Sequence, residues 1–592
     1  MLALLSLGGL ILVAIASAAW LGSKASAISS ELNTATLLIP TLKENITSDS
    51  SGKALETVTQ LRAHTVAAKE AANDPLWTLA TGLPGLGSNF SAVAEVARSA
   101  DDVVGFGLEP LVSVYGTLDW EALLPTSEGA DLATLEEASP SISAAAHAVW
   151  LSADRLDQID ASRLLPQVAD PLTQARDQLN DVTGALNAAA AAAKITPGML
   201  GAQTPRNYLL MIQNNAEVRA SGGIPGALAV VGLDKGKLSL GSQSSAAALG
   251  AMSPIVHLDP EQQAIYSGRA GKFMQDVNLT PDFPTAAATA QTMWERKTGQ
   301  RVDGVISIDP VALGYILDAT GPVNISQPEL VALEDAGLPT ELTGHNVVQT
   351  LLSDVYAKLE QPRLQDAYFA GVAQEIFAAL SDGKGNAKGL VEGLARGSDE
   401  GRVLVWSGLT DEQSVIAQYP LSGSIAGPSI APSQFGVYFN DGTGAKMDYY
   451  VKRTVHLVKE CPKDGYEQIT LRIRSTNTAP ADAATTLPAY VTGGGSFGVP
   501  PGSVQTNIVA YGPVQANAET ARLDGQRTDF ATYIHSNRPV GVMAIKLAPG
   551  ESRTVEFTFG KIVQHTEPNV VVTPTIQAVK DVILPTEILS CG

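Results

Sequence analysis

The sequence predicts a multidomain chain with an N-terminal transmembrane helix and α-helical stalk, a central α/β domain, and a C-terminal β-sandwich. Three observations carry this prediction. An uncharged apolar run opens the chain, the apolar spacing stays helical to residue 196, and from Lys446 it changes to a period of two. A chain of 592 residues can bury several cores without metals or disulfides.

The domains are expected at 1–23 (anchor), 24–196 (stalk or bundle), 197–445 (α/β) and 446–592 (β-sandwich). Leu2 to Gly22 carries no charge and matches the ~30 Å of a bilayer core, with Trp20 suited to the interface. Ala25-Ser26-Ala27 leaves a cleaved signal peptide as the alternative. Either reading places the bulk of the chain outside the cytoplasm. Cys461 and Cys591 are then expected to form a disulfide, the alternative being two buried thiols.

In the stalk, Asp170-Pro171 reads as a helix start, followed by the stripe Leu172, Ala175, Leu179, Val182 and Leu186. Leu55, Val58 and Leu61 start another stripe, which breaks at Asp74-Pro75. After Pro205, Tyr208 to Ile212 reads as a buried strand running into a loop at Gln213-Asn214-Asn215. A hairpin turns at Asp234-Lys235-Gly236. Helices over 284–298 and 311–319 flank a strand at 302–308; two more helices lie in 346–381, and strands follow at 403–406 and 436–439. Such alternation indicates helices packed on a sheet. Beyond Lys446, Val451, Val455 and Leu457 share one strand face; Leu471 and Ile473 alternate with arginines, and Val555, Phe557 and Phe559 with polar residues. This is the pattern of a β-sandwich, plausible as an immunoglobulin-like one, though without a Cys…Trp…Cys spacing.

The charge of −21, from 39 basic and 60 acidic residues, argues against nucleic-acid binding. Two cysteines and seven histidines offer no zinc or iron–sulfur spacing. There is no G-x-S-x-G and no H-E-x-x-H. The densest chemistry lies in the segment from Gln213 to Gly223, which holds Asn214, Asn215, Glu217 and Arg219 beside two glycines. Arginine with amides and glycine N–H groups is equipped to grip a phosphate; equally, Glu217 and Arg219 can pair while the asparagines cap a turn. A second cluster contains Arg269, Lys272, Asp276 and Asp282. There Asp276 and Asp282 are candidates to hold Mg²⁺ at a pyrophosphate, or to cap a solvated loop.

Several of these segments follow an order that resembles a known family. They are Arg206-Asn207-Tyr208-Leu209-Leu210, the Gln213–Gly223 segment, Pro281-Asp282-Phe283-Pro284-Thr285, Val302-Asp303-Gly304-Val305-Ile306, Thr320-Gly321-Pro322-Val323 and the run from Asn440 to Asp448. The chain resembles the actinobacterial membrane-anchored family catalogued as domain of unknown function 4012, which implies an envelope setting and no established activity. Trp294 through Thr298-Gly299, Val302–Val305 and Asp309 to Gly321 is more weakly similar to the LytR–CpsA–Psr family. That similarity implies transfer of glycopolymers from polyprenyl-pyrophosphate carriers to the cell wall. The arginine–aspartate pair of that family has no match here; the corresponding hairpin, Leu238 to Ser245, is uncharged.

Two functional readings follow. In the first, a membrane-anchored envelope protein binds or transfers a lipid-linked glycopolymer, with Arg219, Arg269 and Lys272 on the diphosphate. In the second, the chain is a non-catalytic scaffold or adhesion protein. Convergence of Asn214, Glu217, Arg219, Arg269 and Asp282 on an open pocket favours the first, and a closed, internally satisfied network favours the second.

Overall fold

A computed structural model describes residues 2–48, 50–124, 126, 129–326, 337–564 and 566–590; the side chains of 2–18, 47 and 181 lie outside that set. The chain forms two units, Met1–Asp119 with Asp131–Gly198, and Trp120–Ala130 with Met199–Gly592.

The first unit is helical, as its apolar spacing requires. Its helices are α1 (Leu2–Thr47), α2 (Ser51–Ala72), α3 (Pro75–Ala80), α4 (Gly87–Asp102), α5 (Glu109–Thr117), α6 (Leu132–Asp157) and α7 (Pro166–Met199). Small residues let these helices approach closely: Ala35, Leu42, Ala54, Val58 and Leu61 share one core, and Ile28, Ala68, Ala72, Trp77 and Ala97 another. Leu55, expected on the same stripe as Val58, is instead exposed. Asp74 caps α3 through the N–H of Leu76, with Pro75 in the first turn. By contrast, α7 starts at Pro166, before the expected Asp170-Pro171, and continues through Pro197. Each internal proline forfeits one backbone bond without ending the helix. Charges in this unit serve the bundle: buried Asp101 meets Arg62 at 2.9 Å and Lys69 at 2.7 Å, and Arg155 joins Glu95 to Asp102.

Among the described residues, no helix is long and apolar enough to cross a membrane. The expected span at 1–23 rests mostly on side chains outside that set. Trp20, expected at a membrane interface, donates to Asp74 at 3.1 Å within this unit.

The second unit begins with a five-stranded sheet. Its strands are β1 (Arg206–Arg219), β2 (Gly222–Asp234), β3 (Lys237–Ser245), β4 (Gly304–Ile308) and, after the short pair β5 (Val323–Asn324) and β6 (Glu341–Leu342), β7 (Val403–Ser407). The order is β3-β2-β1-β4-β7, with only β1 and β4 parallel. β2 and β3 form the expected hairpin, and the turn residues Lys235 and Gly236 both have positive φ. After the short helix α8 (Pro260–Tyr266), α9 (Phe283–Thr298) lays Phe283, Ala286, Ala290 and Met293 on Leu209, Met211, Leu228 and Val305 of the sheet. The helix α10 (Pro310–Thr320) and the helix Pro362–Ser381 build a second core through Leu313, Leu317, Tyr368 and Val372.

The expected loop at Gln213-Asn214-Asn215 is not a loop. β1 runs through it to Arg219, with register shifts at Ile212/Gln213 and between Asn214 and Val218 that mark bulges. The polar side chains find partners within the fold, so the backbone has no need to leave the ladder.

The remaining strands are β8 (Gln434–Asp441), β9 (Val451–Lys459), β10 (Glu467–Asn477), β11 (Val504–Tyr511), β12 (Asn517–Leu523), β13 (Gln526–Thr528), β14 (Ala531–His535), β15 (Arg538–Leu547), β16 (Ser552–Ile562), β17 (Asn569–Val572) and β18 (Glu587–Ile588). They form two sheets, β13-β12-β16-β10-β9-β18 and β14-β15-β11-β8-β17. One core joins these sheets: Phe435, Val437, Phe439 and Ile508 from one meet Val455, Leu471, Ile473, Phe557 and Phe559 from the other. β8 lies within the second sheet, not beside the α/β strands. Val218 of β1 enters the same core. The end of β1 is therefore the wedge that fastens the α/β sheet to the paired sheets.

Candidate functional site

The polar segment of β1 sits at this junction. Gln213 accepts from the N–H of Gly223 and donates to Ser307. Asn214 donates to the Tyr356 hydroxyl and accepts from the N–H of Ala216. Asn215 donates to Asp309 at 3.1 Å and to the carbonyl of Pro574 at 3.2 Å. Gly223 must be glycine, because a Cβ there would lie 2.1 Å from the Asn214 carbonyl carbon. Gly223 thus admits this chain's own backbone, and Gly222 the Gln213 side chain, to close range, where the sequence had suggested a ligand.

Arg219 is 6 % exposed. It reaches Glu217 at 3.4 Å and Asp276 at 3.5 Å, and donates to the carbonyl of Val218. Burial opposes its charge, but Glu217, Asp441, Asp276 and Asp448 outweigh that and hold its pKa above the ordinary value. Asp276 also takes Arg269 at 2.9 Å, while Glu217 takes Lys446 at 3.3 Å. Lys446 is buried against the rings of Tyr356 and Tyr490. Burial pulls the Lys446 pKa down, yet Tyr356, Glu217 and Tyr490 leave it raised.

The run from Asn440 to Asp448 supplies the other half of the junction. Asn440 accepts from the N–H of Ala220 and donates to the carbonyl of Leu279. Asp448 accepts from the N–H of Val218 at 3.2 Å and from the buried Arg453. Asp441 accepts from the N–H groups of Thr443 and Gly444. Burial, then Asp448 and Glu217, push the Asp441 carboxyl up to about 7, while Arg219 pulls it back. A second junction centres on Arg402, which pairs with Asp309 at 2.8 Å and Glu400 at 2.6 Å and donates to the carbonyls of Thr575 and Gln577. Asp309, which also caps α10 through the N–H of Ala312, is therefore an ion-pair partner as well as a cap.

The structure brings together Glu217, Arg219, Arg269 and Asp276, with Asn214 linked through Tyr356 and Lys446. Lys272 is exposed, its ammonium 5.4 Å from the Phe273 ring. Asp282 stands apart, accepting from Thr285 at 2.6 Å and from the N–H of Ile425. Asp276 and Asp282 have different partners, and among the described residues no three His, Cys, Asp or Glu side chains are grouped to hold a metal. Asp276 already faces two guanidinium groups. Cys591, the expected partner of Cys461, lies outside the described residues. The sequence reading missed Tyr356, Lys446, Asp448, Arg453 and Arg402. Arg453 had a signal: it occupies the same inward parity of β9 as Val451 and Val455.

The arrangement neutralises charge internally. Among the described residues it pairs Glu217 and Asp276 with Arg219, Lys446 and Arg269, holds Asp441 on backbone N–H groups, and leaves Asn215 Oδ1 and Arg219 Nε without a hydrogen-bond partner. A family model described as "Protein of unknown function (DUF4012)" matches residues 203–356, which span β1 to Tyr356. The resemblance to that family is thus shown over this stretch. No curated protein and no solved structure matches the chain. A likeness to the LytR–CpsA–Psr enzymes is not shown.

Proposed function

We propose that this chain is a non-catalytic scaffold or adhesion protein of the cell envelope, held outside the cytoplasm by its N-terminal helix. One observation supports this reading above the others: the charged motif of β1 is consumed in fastening the α/β sheet to the paired sheets. Arg219, one of the three cations expected on a diphosphate, faces Glu217 and Asp276 instead, and Lys446 faces Glu217. An oxidising envelope compartment also suits a Cys461–Cys591 bridge, which would tie Cys591 to the turn just after β9.

The alternative is binding or transfer of a polyprenyl-pyrophosphate-linked glycopolymer at a membrane or cell wall. It draws on Arg269, whose side chain is 61 % exposed, and on the exposed Lys272 beside it. Titration calorimetry of the full-length protein with farnesyl pyrophosphate, with and without Mg²⁺, separates the two. The scaffold reading expects no saturable heat. Saturable binding that Arg269→Ala abolishes would overturn it, and that surface substitution leaves the buried pairs of Arg219 in place.

A further inference from the structure

The paired sheets contain a buried cation of a different kind. Arg219, Arg402 and Arg453 each face a carboxylate. Arg538 is 1 % exposed and, among the described residues, forms no ion pair. Its Nε donates to the carbonyl of Gly512, Nη1 to Ile425 and Nη2 to Gln434. Each terminal nitrogen therefore keeps one N–H uncommitted. An unbalanced buried charge is expensive; the Tyr511 ring lies 5.4 Å from the guanidinium, and among the described residues of the wall there is no carboxylate.

Arg538 lines a cavity of about 260 Å³. Gln564 lines it too, and this second observation is independent of the first. The Gln564 amide nitrogen donates to the carbonyl of Val514, but its oxygen is buried and has no hydrogen-bond partner. The rest of the wall is mostly apolar and includes Ile430, Pro432, Pro513 and Val514. A forked cation and one orphaned acceptor, each almost fully covered, thus border a small apolar chamber.

We infer that this cavity binds the carboxylate end of an acylated amino acid or peptide whose last side chain is small and apolar. The carboxylate takes the two free N–H groups of Arg538 as a bidentate pair. The amide N–H next to it satisfies the Gln564 oxygen, and the side chain rests on the prolines and Val514. A monoanion matches the single positive charge, whereas a phosphate dianion would leave a negative charge buried. The volume of about 260 Å³ has room for one acylated residue. Capture of a chain-end carboxylate is an established mode of peptide recognition. This inference goes beyond the scaffold reading, since it adds a ligand that the β1 junction does not hold.

The test is saturation-transfer NMR on the full-length protein with N-acetyl-valine, compared with N-acetyl-valinamide and with 3-methylbutanoate, which lacks the amide N–H. N-acetyl-valine should bind saturably, and loss of the carboxylate or of the N–H should weaken binding at least ~10-fold each. Arg538→Gln risks the fold, so Ala431→Trp, which fills the cavity from an exposed position, should abolish binding while leaving the thermal midpoint unchanged. A tripeptide ending in valine that binds as tightly as N-acetyl-valine marks a chain end as the source; binding of N-acetyl-valine alone marks a free acylated residue. No saturable binding up to about 10 mM, equal binding of the valinamide, or unchanged binding to Ala431→Trp would overturn the inference.

Discussion

Asp441 gives the junction an unusual dependence on pH. Its carboxyl is pushed up to about 7 in the folded chain, against an ordinary 3.8. The folded state therefore holds a proton there that the unfolded chain has already released. Stability from this group is fully present below about pH 4 and is lost as pH rises through about 7. The raised pKa corresponds to roughly 4 kcal/mol in the alkaline limit, of which roughly 2–3 kcal/mol falls between pH 5 and 8. Asp441→Asn removes this titration while keeping an oxygen to accept from Thr443 or Gly444. The variant should thus be close to wild type below about pH 4, and its advantage over wild type should grow by roughly 2–3 kcal/mol between pH 5 and pH 8. Urea titrations at several pH values, followed by amide exchange in β8 and β11, report on the second unit alone. Groups common to both proteins cancel in the difference. If that difference stays constant within about 0.5 kcal/mol from pH 5 to 8, the carboxylate crowding inferred for this junction is wrong.

Two further outcomes follow from the same structure. Arg402→Met should destabilise the second unit by about 3–5 kcal/mol, because it strands Asp309 as a buried charge, and adding Asp309→Asn should recover most of that loss; chemical denaturation of the single and double variants measures it. Lys235→Asn should stabilise the β2–β3 hairpin by about 0.5–1 kcal/mol, since Lys235 now occupies a positive-φ position that asparagine adopts more readily, and the thermal midpoint should rise accordingly.

The periodic elements were legible in the sequence because their information is local. The β2–β3 hairpin, α9, and the inward faces of β10 and β16 lie where their spacing puts them. The junction was legible only in part. The Gln213–Gly223 segment stands out by composition, but its partners are remote: Val218 meets Asp448, Asn214 meets Tyr356, and Asn215 meets Asp309. Hydrophobic period carries no information about such pairings. It misplaced the loop after Ile212 for the same reason, since a bulged strand rich in amides looks like a turn until the groups that satisfy it are known. It also placed β8 with the α/β elements, because a short buried strand reads alike in either sheet.

The acceptors that Arg402 and Asn215 require come from residues 574 to 577, close to the last described part of the chain. Asn215 waits for a group 359 positions later. At ~5–20 residues per second, that interval is on the order of 20–70 s of synthesis. During it, the α/β sheet has its strands but not the lock that closes it. An emerging chain must therefore keep a guanidinium and an amide accessible to water, or to a helper protein, until residues 574 to 577 arrive. A product that stopped short of Pro574 would carry the whole sheet and still fail to seal.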